Sequence, residues 1–310
     1  MKKFVILVGV HGRPSMKKVY SQMQKDAVLK IRRCPPRKAG YIRRYEDKNI
    51  NTYEKDSLDN LTLENNIVVR WGNRIEADTN DNTIVYNRSE SVKKASDKKL
   101  TRQLLLEGRV RIPRLFSDQD YLAGTLTFPV IARPSVHAKG KNFVVLNDSE
   151  SFIRHYRNNE INGWYYSEYV DKEREFRVHC AHGKVLAIME KPKGDGLAWN
   201  RARVGEPFVR VKQEDYIYTV AYQALKATKV LGLDFAGVDV VLKTNEDGVQ
   251  EAFVLEANTS PTLNSSEYVS NQYAKYFDWL ASSDKRREHW DFTAFEKAKS
   301  LAWKQEQLLS

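Results

Sequence analysis

Apolar and polar positions along the chain follow two periods. The runs "FVILV" (4–8) and "NIVVR" (66–70) are continuous, short and rich in β-branched residues, as in strands buried on both faces. With a helix expected near 15–30 between them, they predict a small α/β unit over residues 1–92. "ADTNDNTIVYNRSES" is polar and turn-rich, a natural boundary. "SDKKLTRQLLLEGRVRIP" reads as a helix capped by Ser96, striped by Leu100, Leu104 and Leu105, and ended by Gly108. "FPVIARPSVHAKGKNFVVLND" reads as strand, basic loop, strand, and "WYYSEYV" as a further strand. "EFRVHCAHGKVLAIMEK" reads as a hairpin turning at His182-Gly183. Ile217, Val220, Ala221, Ala224 and Leu225 recur at helical spacing, as do Val269, Tyr273, Phe277 and Leu280, and "TAFEKAKSLAWKQEQLL" predicts a terminal helix. The fold class is α/β (α+β), in parts 1–92, 93–165 and 166–310, the last with a helical tail over 267–310.

Within the last part, "GVDVVLKTNEDGVQEAFVLEAN" holds two β-prone runs around Asp247-Gly248, a pair suited to a two-residue hairpin turn. If Glu246 pairs with Val249 across that turn, Asp239 falls directly opposite Glu256. Asn258 then joins them on one face, shared by Val241 and Val254. Like charges placed opposite each other destabilise a sheet. Two acids and an amide together fit a hard cation, and Mg²⁺ favours such oxygen ligands. The competing reading is a pair of solvated acids at a sheet edge.

Composition narrows the picture. Cys34 and Cys180 lie far apart without metal-ligand spacing, which fits a reduced compartment and excludes a disulfide scaffold. The opening "MKKFVILVGVHGR" starts like a signal peptide, but its apolar run stops at His11-Gly12-Arg13, so a strand is expected. No run approaches the ~20 apolar residues of a membrane span, and a soluble, cytoplasmic protein is expected. The net charge of +11 is concentrated: residues 1–50 hold eight Lys and six Arg against three acids, and the remainder balances to zero. "KIRRCPPRKAGYIRRY" interleaves Arg32, Arg33, Arg37, Arg43 and Arg44 with Tyr41 and Tyr45. Such a patch, over 30–45, suits nucleic acid or another anionic macromolecule, and equally a solvated face or a dock for an acidic protein.

The order of the "DKK" helix, "PVIARP", "SEYV…EFRV", "MEK" and "GVDVVL…LEANTSP" resembles that of ATP-grasp enzymes, most closely the RimK-type glutamate ligases, over about 93–264. There is no G-x-x-x-x-G-K-[ST] and no G-x-G-x-x-G. The resemblance implies an ATP-grasp fold, in which an amino-terminal α/β subdomain precedes a lid subdomain (93–165) and an antiparallel-sheet subdomain. It implies ATP and Mg²⁺ as cofactors, with Asp239, Glu256 and Asn258 as metal ligands. Lys98 (or Lys99), Arg133, Lys141 and Lys191 would contact phosphates, with Arg133 standing where the family usually has Lys. Glu168, Tyr169 and Val170 would edge the adenine and Glu175 would take the ribose. Asn200 and Arg203, together with Lys191, would face the transferred phosphoryl group. The loop "SVHAKGKN" departs from the glycine-rich family pattern, having Gly140 alone among His137, Lys139 and Lys141.

The function this implies is an ATP-dependent carboxylate–amine ligase that forms an amide through an acyl phosphate. Two other readings stay open: an ATP-grasp kinase acting on a hydroxyl, and a nucleic-acid-binding or nucleic-acid-modifying protein that uses the basic segment. Arg177 reads either as a contact for a substrate carboxylate or as a buttress for Glu175. Arg70 and Trp71 read as cleft contacts or as packing, while His179 and Cys180 read as structural.

Overall fold

The computed structural model describes residues 3–9, 13–23, 28–31, 66–74, 80–134, 144–159, 163–193, 208–212, 217–263 and 266–281. The basic stretch 32–45, the loop 135–143 with His137 and Lys141, the pair Asn200 and Arg203, and the expected terminal helix lie outside these residues.

The first sheet is parallel. β1 (Lys3–Val8) is followed by helix α1 (Arg13–Tyr20), shorter than expected, then β2 (Val28–Ile31), β3 (Asn66–Trp71) and β4 (Ile84–Tyr86), in the order β2-β1-β3-β4. Phe4–Val8 and Ile67–Val69 are buried throughout, which is why these runs do not alternate. The turn-rich stretch expected as a boundary contains β4 and the start of a helix, α2 (Ser89–Ser96). Helix α3 (Lys98–Glu107) is capped by Asp97, not Ser96: the Asp97 carboxylate accepts from the N–H groups of Lys99 and Leu100, both at 3.1 Å. Ser96 is the last residue of α2, and its hydroxyl donates to the Val92 carbonyl instead.

The second sheet comprises β5 (Leu115–Phe116), β6 (Val130–Pro134), β7 (Val144–Leu146) and β8 (Trp164–Glu168), ordered β5-β8-β6-β7. Helices α4 (Asp118–Leu122) and α5 (Ser149–Asn159) belong to the same part, and Phe152 of α5 packs with Phe116, Val130, Ala132, Leu146 and Tyr166.

The third sheet is antiparallel: β9 (Arg174–Ala181), β10 (Lys184–Lys191), β11 (Val209–Arg210), β12 (Phe235–Thr244) and β13 (Gln250–Asn258), ordered β11-β10-β9-β12-β13. His182 (φ 49°) and Gly183 (φ 74°) form the β9–β10 turn as expected, both left-handed as a primed hairpin turn requires. One face packs on α6 (Tyr218–Val230) through Val178, Val220, Ala224, Val238 and Val240. The other packs on α7 (Glu267–Ala281) and the first unit through Phe235, Ala187, Tyr273, Phe277 and Trp71. Trp71 is therefore a packing residue, its indole 5.5 Å from the Phe235 ring and 5.0 Å from Tyr273. The three sheets draw on residues 3–86, 115–168 and 174–258, and the division at 92 and 165 stands as a proposal beside them.

Candidate active site

Asp239 and Glu256 stand opposite each other, as the sequence predicts, but by a different route. The β12–β13 turn is wider than Asp247-Gly248: Thr244 pairs with Gln250, and Asn245 N–H donates to the Val249 carbonyl at 2.9 Å. The Asn245 side chain closes it by accepting from the N–H groups of Asp247 (3.1 Å) and Val249 (2.8 Å). From that turn the ladder runs one residue out of step with the expected one, pairing Val240 with Val254. Leu255 then stands unpaired as a β-bulge, after which Asp239 pairs with Glu256, Val238 with Ala257 and Gly237 with Asn258. The bulge also separates two residues expected on one face. Val254 looks into the α6-side core with Val240, while Val241 alternates onto the carboxylate face.

Around these acids the same face of β9 and β10 turns polar. Arg177 pairs with Asp239 across β9 and β12, and its fork donates Nε to Oδ1 at 2.7 Å and Nη2 to Oδ2 at 2.8 Å. Arg177 thus orients Asp239 directly and reaches Glu175 through its charge alone. Lys98 Nζ lies 3.0 Å from Glu256 Oε2, and Asn258 Nδ2 donates to Glu256 Oε1 at 2.9 Å. The Lys98 charge holds the Glu256 carboxyl well below the usual carboxylate range, whereas burial pushes Asp239 above it against the pull of Arg177. Lys99, the neighbour that sequence could not separate from Lys98, is exposed.

Glu175, 5 % exposed, receives two cations: Lys172 Nζ at 2.7 Å and Lys191 Nζ, its cross-strand partner, in a short contact. Burial alone would raise the Glu175 carboxyl, but the charges of Lys191 and Lys172 outweigh it and lower it. Glu168 closes β8, and its N–H donates to the Arg114 carbonyl at 2.9 Å. Tyr169 N–H is committed to the Pro129 carbonyl at 3.2 Å. Arg133, half-buried on β6, pairs with Tyr165 of β8. Lys141, Asn200 and Arg203 lie outside the described residues.

Two glycines let the motifs interlock. A Cβ on Gly237 would sit 2.6 Å from Pro261 Cβ, so "GVD" admits the loop that "NTSP" forms after Asn258. Gly72, at the end of β3 with φ +67°, would put a Cβ 2.5 Å from Ser260 Cβ, so the first unit abuts the same loop. Residues 95–277 match the RimK-like ATP-grasp domain. The chain belongs to the RimK-like ATP-grasp family.

As in that family, similar chains are named ligases. The chain is 25% identical over 201 residues to a probable alpha-L-glutamate ligase of Haemophilus influenzae, covering 61% of itself and 63% of that relative's length. Its fold matches the ATP-grasp ligase PsnB, solved with a phosphomimetic variant of its minimal precursor, Mg and ADP, at TM-score 0.57 and 13% identity, over 91% of this chain and 98% of the other. It also matches D-alanine–D-alanine ligase of Bacillus anthracis at TM-score 0.55 and 15% identity, over 97% and 99%. Beyond this RimK-like framework, sequence reasoning missed the assignment of Arg177 to Asp239 and the Lys172 contact. Period-two spacing in "EFRVHC" does place Glu175 and Arg177 on one face. No local signal marks the Leu255 bulge. No helix among the described residues is long and apolar enough to cross a membrane.

Proposed function

We propose that this chain is an ATP-dependent carboxylate–amine ligase: ATP phosphorylates a carboxylate, an amine displaces the phosphate, and amide, ADP and phosphate are released. The carrying observation is the Asp239–Glu256 pair with Asn258, ringed by Lys98 and Arg177, inside a RimK-like domain. Their donor set of carboxylate and amide oxygens fits Mg²⁺, with Asp239, Glu256 and Asn258 as the holding residues. When bound, Mg²⁺ neutralises charge on the nucleotide phosphates.

In this reading Lys98, Arg133, Lys141 and Lys191 neutralise phosphate oxygens. The edge at Glu168, Tyr169 and Val170 takes the adenine, and Glu175 the ribose. Asn200 and Arg203 carry the role that the family resemblance gives them, beside the transferring phosphoryl group. The acceptor would lie where β1 and β3 end, the point at which strand order reverses in the first sheet and Gly72 meets Ser260. The basic segment 30–45 adds a proposed anionic partner, nucleic acid, and the cytoplasm is the proposed compartment.

The test is to follow ADP and product masses with ATP, Mg²⁺ and a pooled set of amino acids and carboxylates. ADP with an amide product supports the ligase; ADP with a phosphorylated hydroxyl supports the kinase alternative. Glu256→Ala is expected to lower ADP formation by at least about 100-fold while the protein still folds. Full turnover in that protein would remove the metal assignment.

A further inference from the structure

Arg102 lies on α3, one turn after Lys98, with 3% exposure. Its guanidinium stacks on Tyr165, 5.2 Å from the ring centroid, and Nη2 donates to the Leu255 carbonyl at 3.3 Å. Nε and Nη1 are sealed from solvent and find no acceptor among the described residues. Burying a guanidinium so sparsely partnered is costly relative to an apolar side chain. A Met of similar length would pack against Tyr165 without that penalty. Among the described residues Arg102 makes one directional bond, to the Leu255 carbonyl, and that bond points to its role.

That bond ends on the bulge. Leu255 is the residue left unpaired between Val254 and Glu256, and β13 is the outer strand of its sheet. The neighbouring N–H, on Val254, is held from outside by the Arg111 carbonyl at 2.9 Å. Without the bulge, Asp239 would face Leu255, and Glu256 would turn to the α6-side core.

We infer that Arg102 is a positioning residue: by holding the Leu255 carbonyl it fixes the bulge, and the bulge sets Glu256 on the face of Asp239. Lys98 holds the Glu256 carboxylate from the preceding turn, so one face of α3 secures both backbone and side chain. The consequence for metal binding rests on the proposed reading of the Asp239–Glu256 pair; the register does not.

The experiment is the Arg102→Met protein, with the β12–β13 register read from its crystal structure or from Hα–Hα contacts of Asp239 by NMR. Mn²⁺ binding in the presence of ADP and the melting temperature are measured beside it. The expected result is Leu255 opposite Asp239, in whole or in exchange, an unchanged or higher melting temperature, and Mn²⁺ affinity weakened about 10-fold or more. Arg102→Lys, which keeps a charged donor, is expected to recover part of both. If the Met protein does not fold, Arg102→Gln, with a shorter donor, is read the same way. A bulge retained at Leu255 overturns the inference at any metal affinity. Absence of ADP formation by the parent protein counts against the proposed activity and leaves the register to decide on Arg102.

Discussion

Glu175 is a buried side chain at which stability and the proposed ribose contact can be told apart. Its carboxylate lies between Lys172 and Lys191, all three largely shielded from solvent. Removing it leaves two ammonium groups facing each other, so Glu175→Ala is expected to lose about 3 kcal/mol in denaturant unfolding. A ribose role predicts weaker ATP binding as well. The double variant Glu175→Gln with Lys172→Met separates the two effects, because it removes one surplus charge. It should regain most of the stability while nucleotide affinity stays low. Nucleotide affinity equal to the parent's in the double variant would leave Glu175 a purely structural role.

At the scale of elements, the site depends on where α3 begins. Asp97 caps it, and the Thr101 hydroxyl donates to the Lys94 carbonyl at 2.8 Å, tying α3 to α2. Lys98, the first residue of the helix, reaches Glu256 from there. Asp97→Ala is expected to lower stability by about 1 kcal/mol. Because the first turn frays without its cap, Lys98 loses its fixed position, and nucleotide binding should weaken while Lys99→Ala has little effect. Equal effects of Asp97→Ala and Lys99→Ala on nucleotide binding would contradict the assignment of Lys98.

Across the whole molecule, the core shared by the first unit, α7 and the third sheet encloses His179, whose Nδ1 lies 3.2 Å from the Tyr273 hydroxyl. Burial first, then the charge of Arg177, lowers this imidazole from 6.5 to about 3. In the unfolded chain it takes up a proton near its ordinary value, so between these limits the unfolded state binds more protons. Stability therefore falls as pH drops below about 6.5, by up to a few kcal/mol. His179→Gln should flatten that acid limb in unfolding measured from pH 7 to 4; an unaltered limb would place its origin elsewhere. The excess charge of residues 1–50 acts on the same scale. Changing Arg32, Arg33, Arg43 and Arg44 to Gln should weaken nucleic-acid binding and lower its salt slope by about one unit per lost contact, with ADP formation preserved. No binding by the parent at low salt would make the patch a solvated face or a protein dock.

The sequence by itself determined the elements whose pattern is local. Phe4–Val8 is apolar throughout and becomes a central parallel strand, Val269, Tyr273, Phe277 and Leu280 recur at helical spacing and are buried, and His182-Gly183 tolerates the left-handed turn. It also placed Asp239 opposite Glu256, although through a turn that forms differently. Only the tertiary structure decided the rest, because those choices involve residues far apart in the chain. Whether Asp97 or Ser96 caps α3 depends on where α2 ends. Arg177 is drawn to Asp239 because β9 lies beside β12. The Leu255 bulge, which puts Glu256 on the right face, meets a donor from a helix about 150 positions earlier, and no local period records that contact.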